Sequence, residues 1–345
     1  MKAAFLTGIR QFEIRQTPTP RIAEDSDVLI RIATVGVCGS DIHYYTQGRI
    51  GSQAVKFPFV IGHEAAGTVM ETGREVRSVR AGERVAIDPA VSCGRCDQCA
   101  SGREHTCRTL RFMGAPGQLD GALAEYVVLP ERSCYPVPGN VTMDQATLAE
   151  PLAIAVYAVE RAAVTGGVTA AVLGMGPIGV SVLHVLGTTA VSRVYATERI
   201  DERLSFARRL NPAWCGNPDR DNIAGEIAAR EPLLLDRVFE CSGDVRAIAQ
   251  GIELLKPGGS LVIVGIPETD QVALPIHELR RKEITIINVR RQVHATRRAI
   301  ELIASRKIDI GPMATHHFGL AETQAAFDLV EGYRDGVMKA IITLT

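Results

Sequence analysis

The sequence predicts an α/β protein of two domains: an irregular β-rich unit over residues 1–148, then a doubly wound parallel sheet over 149–291, with residues 292–345 returning to the first unit. Three observations point there. Short β-like runs separated by Gly and Pro clusters fill the first part, strand and helix patterns alternate after Glu150-Pro151, and a glycine-rich turn joins a strand to a helix within that alternation.

In the first part, residues 28–33 and 125–129 are rich in Val, Ile, Leu and Tyr and read as strands. In the second, a helical pattern over 152–163 leads to a strand at 170–174, a helix at 177–186, a strand at 194–197, a helix at 201–210 and a strand at 236–240. A helix at 245–255, a turn at Lys256-Pro257-Gly258-Gly259, a strand at 261–265 and a last strand at 284–289 complete the sheet. Two helical patterns, 295–304 and 321–333, and a strand-like 338–344 form the tail.

Composition excludes several classes. With 345 residues and 46% apolar side chains the chain can bury a core in each domain. Its 38 basic and 39 acidic residues are interspersed, giving a net charge of -1 and no basic face for nucleic acid or anionic lipid. The opening Met1-Lys2-Ala3-Ala4-Phe5-Leu6 reaches Arg10 too soon for a secretory signal, and eight cysteines without one predict reduced thiols in the cytoplasm. Between residues 162 and 192 only His184 is ionisable, but glycines cut that run into strand, loop and helix, which argues for a buried parallel strand and against a membrane span.

Gly174-x-Gly176-Pro177-Ile178-Gly179 follows the strand and opens the helix, and Glu198 closes the next strand. Strand, loop, helix and a distant acid together form a dinucleotide fingerprint, in which the backbone approaches the pyrophosphate and the helix N-terminus faces it. Glu198 is expected to accept hydrogen bonds from the adenosine ribose and to repel a 2'-phosphate, which favours NAD over NADP, with Arg199 beside it softening the repulsion.

Two sets of metal ligands precede this. Cys93-x2-Cys96-x2-Cys99-x7-Cys107 is local and all sulfur, in an apolar-poor stretch over about 90–110. A closed thiolate tetrahedron suits structural zinc. The spacing does not match the bacterial iron-sulfur run, whose fourth cysteine follows three residues later, or the paired knuckles of a zinc ribbon. Cys38, His63 and Glu64 make a mixed, scattered set that can leave zinc a free position. Cys134, Cys215 and Cys241 sit in apolar contexts and read as small hydrophobes.

Gly62-His63-Glu64-x2-Gly67-x5-Gly73-x2-Val76 resembles the zinc alcohol dehydrogenase signature of the medium-chain dehydrogenase/reductase family, and the similarity spans almost the whole chain. Cys38-Gly39-Ser40-Asp41-Ile42-His43-Tyr44, Gly48-Arg49-Ile50-Gly51 and Ala149-Glu150-Pro151-Leu152-Ala153 look most like its sorbitol (polyol) dehydrogenase branch. The resemblance implies a GroES-like catalytic domain, a Rossmann domain, a cleft between them, two zinc ions per subunit, and a homotetramer or homodimer. It implies that Cys38, His63 and Glu64 bind the catalytic zinc, with Glu150 ligating it or holding a water on it; the choice of inner carboxylate, Glu64 or Glu150, stays open.

The resemblance also implies a proton relay through Ser40 and His43, polyol contacts from Tyr44, Glu150 and Arg290, and Arg203 near the adenosine. Val264, Gly265, Ile266, Asn288 and Val289 are expected along the rest of the cofactor. Arg291 departs from the pattern, which has an aromatic residue there; the extra cation admits an acidic or phosphorylated sugar alcohol, or faces solvent. The expected activity is NAD-linked oxidation of a polyol's secondary hydroxyl to a ketose. Threonine, butanediol or aldose dehydrogenation is the same chemistry on another substrate, and a non-catalytic nucleotide-binding or zinc-ribbon regulator is a third reading, of a different class.

Overall fold

The computed structural model describes residues 1–344. The chain divides into one compact unit of Met1–Glu150 with the residues from Thr296 onward, and a second of Pro151–Ala295.

Among the described residues the first unit is organised by a seven-stranded sheet. Its centre is Asp27–Gly36, where Val28, Ile30 and Ile32 are buried and Arg31 is exposed, the alternation of a half-buried strand; burial becomes continuous from Thr34 to Gly36. Glu64–Thr72 pairs antiparallel along one edge of that strand, while Tyr126–Pro130 and Lys339–Thr343 share the other. The C-terminal tail therefore supplies a strand to the sheet, with Ile341 opposite Gly36. Ile30, Ile32, Ile61, Val69, Leu123 and Ile342 belong to the buried core. A two-residue ladder, Ala90 with Phe112 and Val91 with Arg111, closes the neck of an excursion that carries the four clustered cysteines.

The second unit is a parallel six-stranded sheet in the order Trp214–Gly216, Arg193–Thr197, Thr169–Leu173, Leu235–Glu240, Leu255–Ile263, Thr285–Asn288. Strand order reverses between Thr169–Leu173 and Leu235–Glu240, which creates the switch point where open α/β sheets bind ligands. Helix Pro177–Leu186 begins as expected from sequence, with Gly176 as N-cap and Pro177 in its first turn. Leu173, Val238, Ile252 and Leu261 pack in the core.

Three elements of this unit lie outside the expected set: strand Trp214–Gly216 and helices Ile223–Arg230 and Ile276–Lys282. The strand is too short to show a period, and the second helix is masked by its charged run Arg280-Arg281-Lys282. Lys256-Pro257-Gly258-Gly259 is expected from sequence to be a turn before a strand. The strand instead starts at Leu255, and those four residues bulge out of a ladder that runs from Leu235–Leu255 to Arg237–Ser260. No helix among the described residues is long and apolar enough to cross a membrane.

Candidate metal and cofactor sites

Cys38 is the N-cap of helix Gly39–Gln47, just past the central strand of the first unit, and Glu64 opens the neighbouring strand with Gly36 as its register partner. Strand pairing thus brings together residues far apart in sequence. One ligand atom each from Cys38, His63 and Glu64 lies within 4.8 Å of the others. Glu150 is not part of this cluster, although its charge interacts with His63 and Glu64.

Two neighbours brace the cluster. Asp41 is fully buried; one carboxylate oxygen accepts from Cys38 N at 3.3 Å, and the other lies 3.3 Å from His63 Nδ1, which leaves Nε2 as the ring's ligand atom. Lys339, on the C-terminal strand, donates to both oxygens of Glu64 at 2.8 and 2.6 Å and to Val37 O at 3.1 Å, and both side chains of that pair are 2% exposed or less. Phe112 packs its ring against His63 at 5.3 Å.

Sequence reading passed over Asp41, Lys339 and Phe112. Asp41 lies three residues after Cys38, and Lys339 is a lone cation in the apolar run Val337-Met338-Lys339-Ala340-Ile341, a pattern that marks a buried charge with a partner elsewhere.

Burial pushes the His63 imidazole down, but Asp41 and Cys38 more than reverse this and hold it well above its ordinary value. Burial pushes the Glu150 carboxyl up to about 8, with His63 opposing and Glu64 adding to the rise. A divalent cation reverses that logic, favouring neutral imidazole and ionised carboxylate. A half-buried thiol with a buried imidazole and carboxylate is a donor set that zinc accepts.

On the same helix, Ser40 Oγ lies 3.4 Å from Cys38 Sγ, His43 follows one turn later half-buried, and Tyr44 is 5% exposed. The helix is anchored from behind by Tyr45, whose hydroxyl donates to Asp328 at 2.6 Å.

In the sulfur lobe, Cys93–Cys99, Cys96–Cys99 and Cys96–Cys107 Sγ separations are 4.0, 3.6 and 3.9 Å. Four thiolates about 2.3 Å from one zinc stand about 3.8 Å apart, so the geometry fits. N–H groups of Arg95 and Cys96 lower the Cys93 thiol to about 6, whereas burial raises Cys99 to about 11.

In the second unit, the expected cofactor residues lie along the C-terminal edge of the parallel sheet. Gly174 follows Leu173; Val264, Gly265 and Ile266 follow Ile263; Asn288 ends the last strand and Val289 follows it; and Leu173, Glu240, Ile263 and Asn288 are successive register partners. Gly174 has φ +91°, and a Cβ on Gly179 would overlap the Gly174 carbonyl, so both positions require glycine. The loop leaves backbone open to a phosphate at the helix N-terminus.

Glu198, expected at a ribose, is 8% exposed and already accepts from Met175 N at 2.7 Å, Arg199 N at 2.7 Å and Ile200 N at 2.9 Å. It ties the glycine loop to the next strand. Arg203 is buried beside Gly176, and Arg199 is held by Asp219 at 2.8 Å. Arg290 is exposed and Arg291 half-buried. Tyr44 and Glu150 belong to the first unit and Arg290 to the second.

Residues 24–139 match the family model described as the alcohol dehydrogenase GroES-like domain, and residues 174–305 match that of the zinc-binding dehydrogenases. The sorbitol dehydrogenase of Bacillus subtilis (strain 168) is 31% identical over 343 residues, covering 99% of this chain and 97% of the relative. The chain belongs to the zinc-dependent medium-chain dehydrogenase/reductase family, in its sorbitol dehydrogenase branch.

Two solved structures of similar fold carry dinucleotides. A zinc-binding dehydrogenase from Sinorhizobium meliloti 1021 is bound to NADP, with TM-score 0.90, 28% identity and 99% of each chain covered. An alcohol dehydrogenase of E. coli CFT073 is complexed with NADH, with TM-score 0.90, 29% identity, and 100% and 99% of the two chains covered. As a medium-chain dehydrogenase, this chain is a zinc-type alcohol or polyol dehydrogenase.

Proposed function

We propose that this chain is a zinc-dependent, NAD-linked dehydrogenase that oxidises a secondary hydroxyl of a polyol such as sorbitol or xylitol to a ketose. The observation that carries the reading is the mixed Cys38, His63 and Glu64 cluster beside a helix that presents Ser40, His43 and Tyr44. When bound, zinc lends Lewis acidity to a substrate hydroxyl and the dinucleotide accepts a hydride from the carbon that bears it.

The protein's own groups do the rest. Cys38 and His63 are the candidate ligands, with Glu64 as inner carboxylate, since its oxygen groups with theirs and that of Glu150 does not. Glu150 remains to hold a water or a substrate hydroxyl. Ser40, next to the Cys38 sulfur, takes the proton from the substrate hydroxyl while yielding its own to His43, whose imidazole passes it toward solvent. Tyr44 and Glu150 supply donors and acceptors of the kind that a polyol demands. Cys93, Cys96, Cys99 and Cys107 hold the second, structural ion.

NAD is favoured over NADP because a 2'-phosphate meets the Glu198 carboxylate while Arg199, its neighbour in sequence, is engaged by Asp219 with Asp244 at 4.0 Å. The B. subtilis relative of 31% identity supports the polyol class.

Zinc-loaded protein assayed for NADH formation with sorbitol, xylitol, threonine, butanediol and glucose tests the reading. Turnover of sorbitol or xylitol is expected. Turnover confined to threonine, butanediol or glucose moves the substrate class, and silence across the panel removes catalysis. Glu198→Ala is expected to narrow the preference for NAD over NADP; an unchanged ratio of kcat/KM values counts against the assignment.

A further inference from the structure

One buried carboxylate in the second unit is used by neither the fingerprint nor the metal clusters. Glu240 is the last residue of the strand at the switch point and has no exposed surface. Its Oε1 accepts three hydrogen bonds, from Ser242 N at 2.7 Å, Ser242 Oγ at 2.5 Å and Gly243 N at 2.9 Å, while Oε2 has no hydrogen-bond partner. Its main-chain carbonyl accepts from Val264 N at 2.9 Å and Gly265 N at 3.0 Å. A single residue therefore ties down the loop after its own strand and the loop after the next.

These loops touch each other and the glycine-rich turn with almost no clearance. A Cβ on Gly265 would lie 2.6 Å from Glu240 Oε2 and overlap Gly243 N, and a Cβ on Gly243 would overlap Ile266 O. On the other side, a Cβ on Gly174 would lie 2.7 Å from the Cβ of Ser242 and 2.9 Å from its nitrogen. A buried acid with one oxygen saturated and the other bare is a costly way to hold a turn. Its effect is positional: Ser242 is pinned against Gly174 and Gly243 against Gly265.

We propose that Glu240 is a positioning residue for the dinucleotide, fixing residues 241–244 so that the Gly174 turn and the Val264–Ile266 loop keep the spacing the cofactor needs. The proposal rests on the cofactor reading given above and adds a residue to it. A glutamine carbonyl at this position accepts the same three bonds, whereas alanine accepts none.

The test uses the full zinc-loaded chain and titrates NADH by fluorescence, alongside KM for NAD, KM for the alcohol, and zinc content. Glu240→Ala is expected to raise the NADH dissociation constant and KM for NAD about tenfold or more, with zinc content and KM for the alcohol unchanged, and Glu240→Gln to stay within about threefold of wild type. A folded Glu240→Ala protein with wild-type NADH affinity overturns the proposal, as does a Glu240→Gln protein as weak as the alanine variant. If Glu240→Ala does not fold, Ser242→Ala decides: about threefold weaker NADH binding supports the role, and wild-type binding ends it. A wild-type chain with no NADH affinity is a different failure, sinking the cofactor reading itself and this role with it.

Discussion

Around Cys38 the first unit gathers side chains that hold one another: Asp41 on His63, Lys339 on Glu64, Ser40 on Cys38. Around Gly174 the second unit does the opposite, clearing side chains away so that backbone approaches backbone at Gly174, Gly179, Gly243 and Gly265. The contrast follows from the ligands. A small dication is recognised by charge and donor type, so its site needs buried groups of fixed protonation, each with a partner. A pyrophosphate is recognised by N–H groups at a helix end, so its site needs room. Substitutions should therefore act through charge in one unit and through volume in the other.

The largest effect is expected from Cys38→Ala, which removes a candidate ligand: kcat/KM should fall by about three orders of magnitude, about 4 kcal/mol, with zinc dropping from two ions to one per chain. Unchanged zinc by elemental analysis breaks the assignment. Lys339→Met comes next, leaving Glu64 buried without its cation. Chemical denaturation of metal-free protein should show a loss of about 3 kcal/mol, and zinc should restore much of it by replacing the missing charge. If zinc restores nothing, Glu64 is not the inner carboxylate.

On the volume side, Gly179→Ala places a methyl on the Gly174 carbonyl and should weaken NADH binding about tenfold without altering zinc content. Loss of zinc in that variant would erase the distinction between the units.

The smallest effect concerns a charge inside the volume-governed unit. Burial pushes the Asp236 carboxyl up, but Lys256 at 2.5 Å and the N–H and hydroxyl of Thr169 at 3.0 Å hold it below its ordinary value. A depressed folded pKa contributes stability that is present above the unfolded value near 4 and is lost as pH falls through the folded value. Asp236→Asn should therefore cost about 1 kcal/mol or less at neutral pH, and the gap to wild type in urea melts should close below about pH 4.

Legibility in the sequence followed the same divide. The glycine turn, its helix and the sulfur lobe are local patterns in which spacing carries the chemistry, so they can be read before any strand is paired. The fold class was readable for a similar reason, because alternating strands and helices announce a parallel sheet. Asp41 with His63 and Lys339 with Glu64 were not readable as pairs; the latter are 275 residues apart and meet only through the register of three adjacent strands. Glu240 escaped notice because an acid ending a strand looks solvated until its burial is seen. Glu198 was read as a ribose acceptor, yet its three backbone partners arise from local loop geometry that no spacing rule encodes.

The lysine on the C-terminal strand has a consequence for biosynthesis. Every residue proposed to hold zinc leaves the ribosome well before Lys339, so the nascent first unit carries Glu64 without its counter-ion until the final strand emerges and inserts beside Gly36. Translation order thus places the pairing of Lys339 with Glu64 after synthesis of the whole second unit.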